Sequence, residues 1–180
     1  MKVLLGITGS VATTVTPKLI TTLRNNGHEV TVISTDAACY FTELQALGVQ
    51  CFTDRDEWPG VQYQRGQLVP HIEMRRWADV GLIAPLSANT LAKIAGGFAD
   101  NMLTCVMRAW DVTKPLVVAP AMNTMMWEHP ATAYHLEQLG RWYSRLQIVP
   151  PISKVLACGD EGIGAMADIS SIIEVVNQYQ

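Results

Sequence analysis

The chain has 180 residues, of which 49% are hydrophobic and only 16% charged, with a formal net charge of −3. That length supports one single-core domain and is too short for two ordinary ones. The acidic balance excludes a general nucleic-acid binder, which needs a basic face, and a polybasic membrane anchor.

No segment approaches the roughly 20 apolar residues of a bilayer span, and the apolar N-terminal run stops near Ile7, too short for a signal-peptide core with its cleavage site. The reading is a cytoplasmic chain with no membrane or nucleic-acid partner. Its low charge content leaves apolar surface for a partner subunit to cover. Cys39, Cys51, Cys105 and Cys158 form no CxxC, and His28, His71, His129 and His135 have no metal-ligand spacing with them. The cysteines are therefore expected to be core thiols or one reactive thiol, with no disulfide framework and no metal site.

In chain order, residues 3–8 (VLLGIT) predict a buried strand ending in a tight turn at Gly9-Ser10. Residues 11–26 follow as a helix with Leu19, Ile20 and Leu23 on its apolar face. Pro17 argues for a late start, with Thr16 as the cap. Residues 29–35 (EVTVIST) form a second strand, and Asp36 caps a helix running to Leu47 that Gly48 closes. A minor strand is expected at 50–53. Residues 54–70, with two prolines, two glycines and no period, are the best long-loop candidate. Strands are predicted at 80–85, 116–119 and 146–149, and helices at 88–95, 100–109 and 131–140. Residues 150–167 read as irregular and glycine-bearing, before a last helix capped by Ser170 or Ser171 and running to Asn177.

Strands alternating with helices imply a parallel sheet covered on both faces. The expected fold is a single domain over 1–180, a doubly wound three-layer α/β/α sandwich of flavodoxin or Rossmann type. In such folds ligands bind outside the carboxyl ends of the strands, so each loop that follows a strand is a candidate. Gly9-Ser10-Val11 is small enough for backbone N–H groups and a hydroxyl to approach an anion, though it also reads as an ordinary turn. It is not a full GxGxxG, so a dinucleotide site is not supported. Ser34-Thr35 adds donors after the second strand. After the third, Ser87, Asn89 and Thr90 place three hydrogen-bonding side chains among small residues, although Ser87 also suits a helix cap. After the fourth, residues 119–127 (APAMNTMMW) present an amide, flexible thioethers and an indole.

Two of these loops carry a resemblance. PLSANTLAKIAGGFADN (85–101) resembles the PASANT motif and PAMNTMMW (120–127) the PxMNxxMW motif, which together mark the flavin-dependent cysteine decarboxylases. The similarity continues through HIEMRRWAD (71–79), DNMLTCVMRAWD (100–111) and LACGDEGIGAM (156–166), five motifs in the family's order. HIEMRRWAD with ACGD and GAM is most similar to the branch that acts on N-phosphopantothenoyl-cysteine in coenzyme A formation. The motifs depart from that pattern at one point: Val155 stands where some relatives carry a basic residue, with Lys154 just before it.

The resemblance implies FMN as cofactor, held by Gly9, Ser10, Val11, Ser34, Thr35, Ser87, Ala88, Asn89, Thr90 and Ala121. It implies His71 as base or orienting group, and Cys158 as proton donor on a mobile substrate clamp at about 150–167. Asn123, Met126, Ala157, Arg76 and Lys154 become substrate contacts. Arg76 reads equally well as a solvated helix charge. Family members also form trimers, so a homotrimer or an assembly of trimers is expected. Two other readings remain open: a decarboxylase of C-terminal peptidyl-cysteine, and a non-catalytic relative that regulates a protein phosphatase. An electron carrier of the same fold would need neither His71 nor Cys158.

Overall fold

Six parallel strands form the centre of the molecule in the order β3-β2-β1-β4-β5-β6. They are β1 (Lys2–Ile7), β2 (Glu29–Ser34), β3 (Gln50–Phe52), β4 (Val80–Leu86), β5 (Leu116–Pro120) and β6 (Leu146–Ile148). A two-stranded antiparallel hairpin, β7 (Ile152–Val155) and β8 (Glu161–Ala165), lies apart from this sheet. The helices are α1 (Thr16–Asn25), α2 (Asp54–Glu57), α3 (Pro70–Trp77), α4 (Ala88–Ala95), α5 (Met102–Arg108), α6 (Thr124–Glu128), α7 (Pro130–Trp142) and α8 (Ile169–Asn177). The computed structural model describes residues 1–155, 159 and 161–180.

The central strands are apolar on both faces because both faces are covered. Val3, Leu5 and Ile7 of β1 pack with Leu19, Ile20 and Leu23 of α1 and Ile172, Ile173 and Val176 of α8. Leu4 points the other way, into a cluster with Leu91 and Ile94 of α4, Met102, Leu103 and Val106 of α5, and Leu139 of α7. Gly6 lies on that second face. A Cβ there would sit 2.8 Å from Leu103 Cδ1, so the missing side chain lets α5 close onto the sheet. This is the three-layer doubly wound sandwich that the alternation of elements predicts.

Several elements differ from the sequence reading. The first helix starts late, as Pro17 requires, but Thr16 is its first residue; a 3-10 turn (Val11–Val15) capped by Ser10 precedes it. Residues 36–47 form no α-helix. Two 3-10 turns, Asp36–Tyr40 and Leu44–Leu47, stand there instead, with Thr35 at the cap position of the first. In those two turns only Ala38 and Leu47 are buried, nine positions apart, so no helical apolar stripe exists to bind a helix to the sheet. The supposed loop at 54–70 contains α2 and ends in the first residue of α3. Asp168, not Ser170 or Ser171, precedes α8. Residues 152–155 and 161–165 are strands rather than irregular chain.

Candidate functional site at the carboxyl edge of the sheet

The strand order 3-2-1-4-5-6 reverses direction between β1 and β4, and at such a switch point the two following loops diverge and leave a crevice. The loop after β1 carries Gly9, Ser10 and Val11, and the loop after β4 carries Ser87, Ala88 and Asn89. One buried side chain ties the two together. Thr8 Oγ1 donates to Pro85 O at 2.8 Å and accepts from Ser87 N–H at 2.8 Å. Thr13 Oγ1 donates to Thr8 O at 2.7 Å and steadies the same turn. Gly9 is required by a third loop: a Cβ would lie 2.6 Å from Ala37 Cβ.

Ser87 is the N-cap of α4, its hydroxyl accepting from Thr90 N–H at 3.3 Å. The N–H groups of Ala88 and Asn89 in the first turn of α4 have no intrahelical acceptor, and the helix dipole at that end favours an anion. Ser34 and Thr35 are buried. Their hydroxyls donate to Thr35 O at 3.1 Å and Ile7 O at 3.5 Å.

The loop after β5 carries Ala121, Met122 and Asn123. Asn123 Oδ1 accepts from Met125 N–H at 2.9 Å and so caps the short α6. Met126, on α6, is about half exposed. The β7–β8 hairpin is bonded to this loop, with Met122 N–H donating to Gly164 O at 2.9 Å. The glycines of β8 serve close packing here. A Cβ on Gly162 would lie 2.5 Å from Thr124 Oγ1, and one on Gly164 would collide with the Met122 carbonyl. Both glycines permit close approach of β8 to the Asn123 loop. Gly159, with φ +89, is in a conformation that favours glycine. Lys154 is exposed on β7. The expected contacts Ala157 and Cys158 lie outside the described residues.

His71 is the second residue of α3. That helix returns the chain to the start of β4, so its first turn lies at the carboxyl edge of the sheet. The imidazole meets a residue the sequence reading left in a loop. Nδ1 of His71 is 2.5 Å from Glu57 Oε1, and the His71 backbone N–H donates to Glu57 Oε2 at 3.0 Å. The Glu57 side chain is 6% exposed and that of His71 23%. Asp54, one turn earlier in α2, accepts from Met102 N–H at 2.7 Å and so caps α5. Burial pushes the Asp54 carboxyl above its ordinary range, with Asp36 and Asp100 adding to the rise, against the Met102 hydrogen bond and Lys93. The signal for α2 was present in Thr53-x-x-Asp56, a capping box in which each side chain bonds the other's backbone.

Arg76 pairs with Glu73 of its own helix at 2.9 Å and is largely exposed. Burial raises the thiol pKa of Cys51 and of Cys105, with Cys39 adding to the first and Glu57, Asp54 and Asp100 to the second. Neither thiol is activated. Among the described residues no cluster of His, Cys, Asp and Glu could hold a metal ion, and no helix is long and apolar enough to cross a membrane.

The donors at the crevice fit an anionic group such as a phosphate. The two switch-point loops contribute backbone N–H groups, the Ser10 and Ser87 hydroxyls and the Asn89 amide. Neither tripeptide carries a charged side chain. Val11, half-exposed, offers apolar surface beside Ser10, whereas Ala121 and Met122 are buried. The buried Thr124 hydroxyl has no hydrogen-bond partner among the described residues.

A parallel doubly wound sheet with this uncharged donor set at its switch point defines a nucleotide-type cofactor protein. The flavoprotein family model matches residues 1–179, and the chain belongs to that family. Its sequence is 49% identical to phosphopantothenoylcysteine decarboxylase of Mus musculus over 176 residues, which is 97% of this chain and 85% of that one. It is 49% identical to the enzyme of the same name from Oryza sativa, over 97% of this chain and 79% of the other. Among solved structures it resembles a cysteine-to-serine mutant of PPC decarboxylase complexed with pantothenoylaminoethenethiol. The TM-score is 0.92 and the identity 48%, over 99% of this chain and 97% of that one. The FMN-binding protein AtHal3 gives a TM-score of 0.88 at 49% identity, covering 99% of this chain and 95% of the other.

Proposed function

We propose that the protein decarboxylates N-phosphopantothenoyl-cysteine to 4′-phosphopantetheine, with FMN as its cofactor. The supporting observation is near-half identity to phosphopantothenoylcysteine decarboxylases over almost the whole chain, together with close superposition on one that is complexed with an enethiol. An enethiol is what a cysteine amide becomes once its thiol carbon has been oxidised and its carboxylate lost.

FMN, when bound, supplies reversible two-electron acceptance, which lets the thiol carbon be oxidised before CO2 leaves and reduced again afterwards. Everything else falls to the chain. Gly9, Ser10, Val11, Ser34, Thr35, Ser87, Ala88, Asn89, Thr90 and Ala121 would hold the cofactor. His71 takes the thiol proton. Asn123 and Met126 orient the carboxylate end. An uncharged group suits that task, because a cation would stabilise the ground-state carboxylate and oppose CO2 loss. Cys158 delivers the last proton to carbon. The hairpin, which carries Lys154 and is docked on the Asn123 loop, closes over the substrate.

The chain forms one domain that assembles as a trimer in the cytoplasm. Trp58, Val61, Tyr63 and Leu68, all exposed within one segment, are apolar surface of the kind a neighbouring subunit covers. Light scattering gives the assembly directly.

The test of function is to incubate purified protein with N-phosphopantothenoyl-cysteine and, separately, with a peptide ending in cysteine, and to weigh the products. Loss of CO2 from the first and not the second is expected. The reverse assigns a peptide substrate, and inertness toward both, in protein that retains flavin, refutes the enzyme reading.

A further inference from the structure

We infer that Glu57 is the positioning residue for His71, holding its imidazole as the Nδ1–H tautomer so that Nε2 is the nitrogen offered to substrate. The inference rests on the proposed role of His71 as the base.

The geometry is specific. Both oxygens of one nearly buried carboxylate bond to a single residue, Oε1 to the ring Nδ1 and Oε2 to the backbone N–H. The backbone donor is one of the first-turn N–H groups of α3 that have no intrahelical acceptor. Val69, at the cap position, supplies no side-chain bond to this turn. Glu57 therefore caps α3 from another element while gripping the ring, and its negative charge sits at the favoured end of the helix dipole. A carboxylate is acceptor-only, so the shared ring nitrogen must carry the proton. The opposite nitrogen is then the acceptor. When it takes the thiol proton, the S–H bond breaks, the N–H bond forms, and the resulting imidazolium remains paired with a fixed carboxylate. The same logic orients catalytic histidines in unrelated enzymes.

Substitution by glutamine separates orientation from capping. The His71 backbone N–H demands an acceptor, so the amide oxygen of Glu57→Gln is drawn to it. The amide NH2 then faces Nδ1, which must give up its proton, and the ring is forced into the Nε2–H tautomer. Shape and cap are kept while the base is disabled.

The experiment uses flavin-loaded protein and 15N-histidine labelling. The ring two-bond correlations of His71, assigned by their loss in His71→Asn, report the tautomer at a pH where the imidazole is neutral. Wild type should show Nδ1–H and Glu57→Gln should show Nε2–H. In turnover, kcat of Glu57→Gln should fall about 30-fold or more, with KM, flavin content and melting temperature little changed. Adding Glu57→Gln to His71→Asn should cause no further loss. An Nε2–H tautomer in wild type overturns the inference, and this spectrum decides the matter even if the variant does not fold. Wild-type kcat in Glu57→Gln also overturns it. Full turnover in His71→Asn refutes instead the assignment of the base, a result the tautomer spectrum does not produce.

Discussion

Thr8→Val isolates the link that holds the crevice together. Valine has nearly the shape of threonine, so packing is kept and only the hydroxyl is lost. Thr8 is fully buried, and its hydroxyl serves the Pro85 carbonyl and the Ser87 N–H, both at 2.8 Å. Removing it leaves two buried backbone groups unpaired, at about 1–2 kcal/mol each, or about 2–4 kcal/mol in all. For a chain of this size that lowers the melting temperature by about 4–16 °C. Thr8→Ser keeps both bonds and loses one methyl, a cost of about 1 kcal/mol. The order wild type, Ser, Val should hold in thermal melts at saturating FMN. Saturation matters because a ligand that binds only the folded state adds its own stabilisation. The variant should also release FMN more readily, by about tenfold, since the two switch-point loops lose their common anchor, a difference of about 1.4 kcal/mol. If Thr8→Val melts above Thr8→Ser and keeps wild-type flavin affinity, the hydroxyl is not the link and the argument fails.

Three further outcomes are expected. Cys158→Ser should bind FMN and still oxidise and decarboxylate substrate but stall before the last proton, because a hydroxyl is a far weaker acid than a thiol of ordinary pKa about 8.5. Anaerobic addition of substrate should then bleach the flavin lastingly, and wild-type yields of 4′-phosphopantetheine would disprove the role. Gly164→Ala places a Cβ against the Met122 carbonyl at a φ of +148, so the hairpin must leave the Asn123 loop. Proteolysis within 152–165 should accelerate and KM rise about tenfold or more, with flavin content unchanged; unaltered cleavage would show that docking does not depend on close approach. Asp54→Asn keeps the acceptor for Met102 N–H and removes a carboxylate that burial disfavours. The folded-state pKa is raised, so the folded protein binds the proton more readily, and stability falls as pH rises through the window above the ordinary Asp value of about 4. Asp54→Asn should therefore raise the melting temperature at about pH 8 and lose that advantage toward pH 4; a constant difference would exclude the ionisation as its cause.

The sheet was legible because its strands are apolar on both faces. VLLGI, VTVIS, VGLIA and LVVA announce burial whatever surrounds them. The positions of the loops that follow the strands came with that pattern. The site's connections were not legible in the same way. Nothing in the sequence distinguishes Thr8 from any other threonine at a strand end, since its two partners lie 77 and 79 positions away. Glu57 sits in DRDEWPG, a charged stretch before a proline and a glycine that reads as loop, and its importance comes from a partner 14 residues on. The Thr53–Asp56 box marked a helix start there, but a four-residue helix has no apolar period to support it. Gly162 and Gly164 are ambiguous in the sequence. Glycine signals both freedom and close contact, and only the neighbouring Met122 and Thr124 decide between them.

The four-residue helix α2 holds the first turns of two longer helices, α3 through Glu57 and α5 through Asp54. Where His71 stands is thus set by a clasp at the sheet's edge and not by the path of the chain that leads to it. Residues 58–69 run between two pinned ends, and a longer or shorter span there changes little more than its closure entropy, about 0.6 kcal/mol for each doubling of length. That span can be rewritten, and with it the surface it shows to a neighbour, while the imidazole keeps its place.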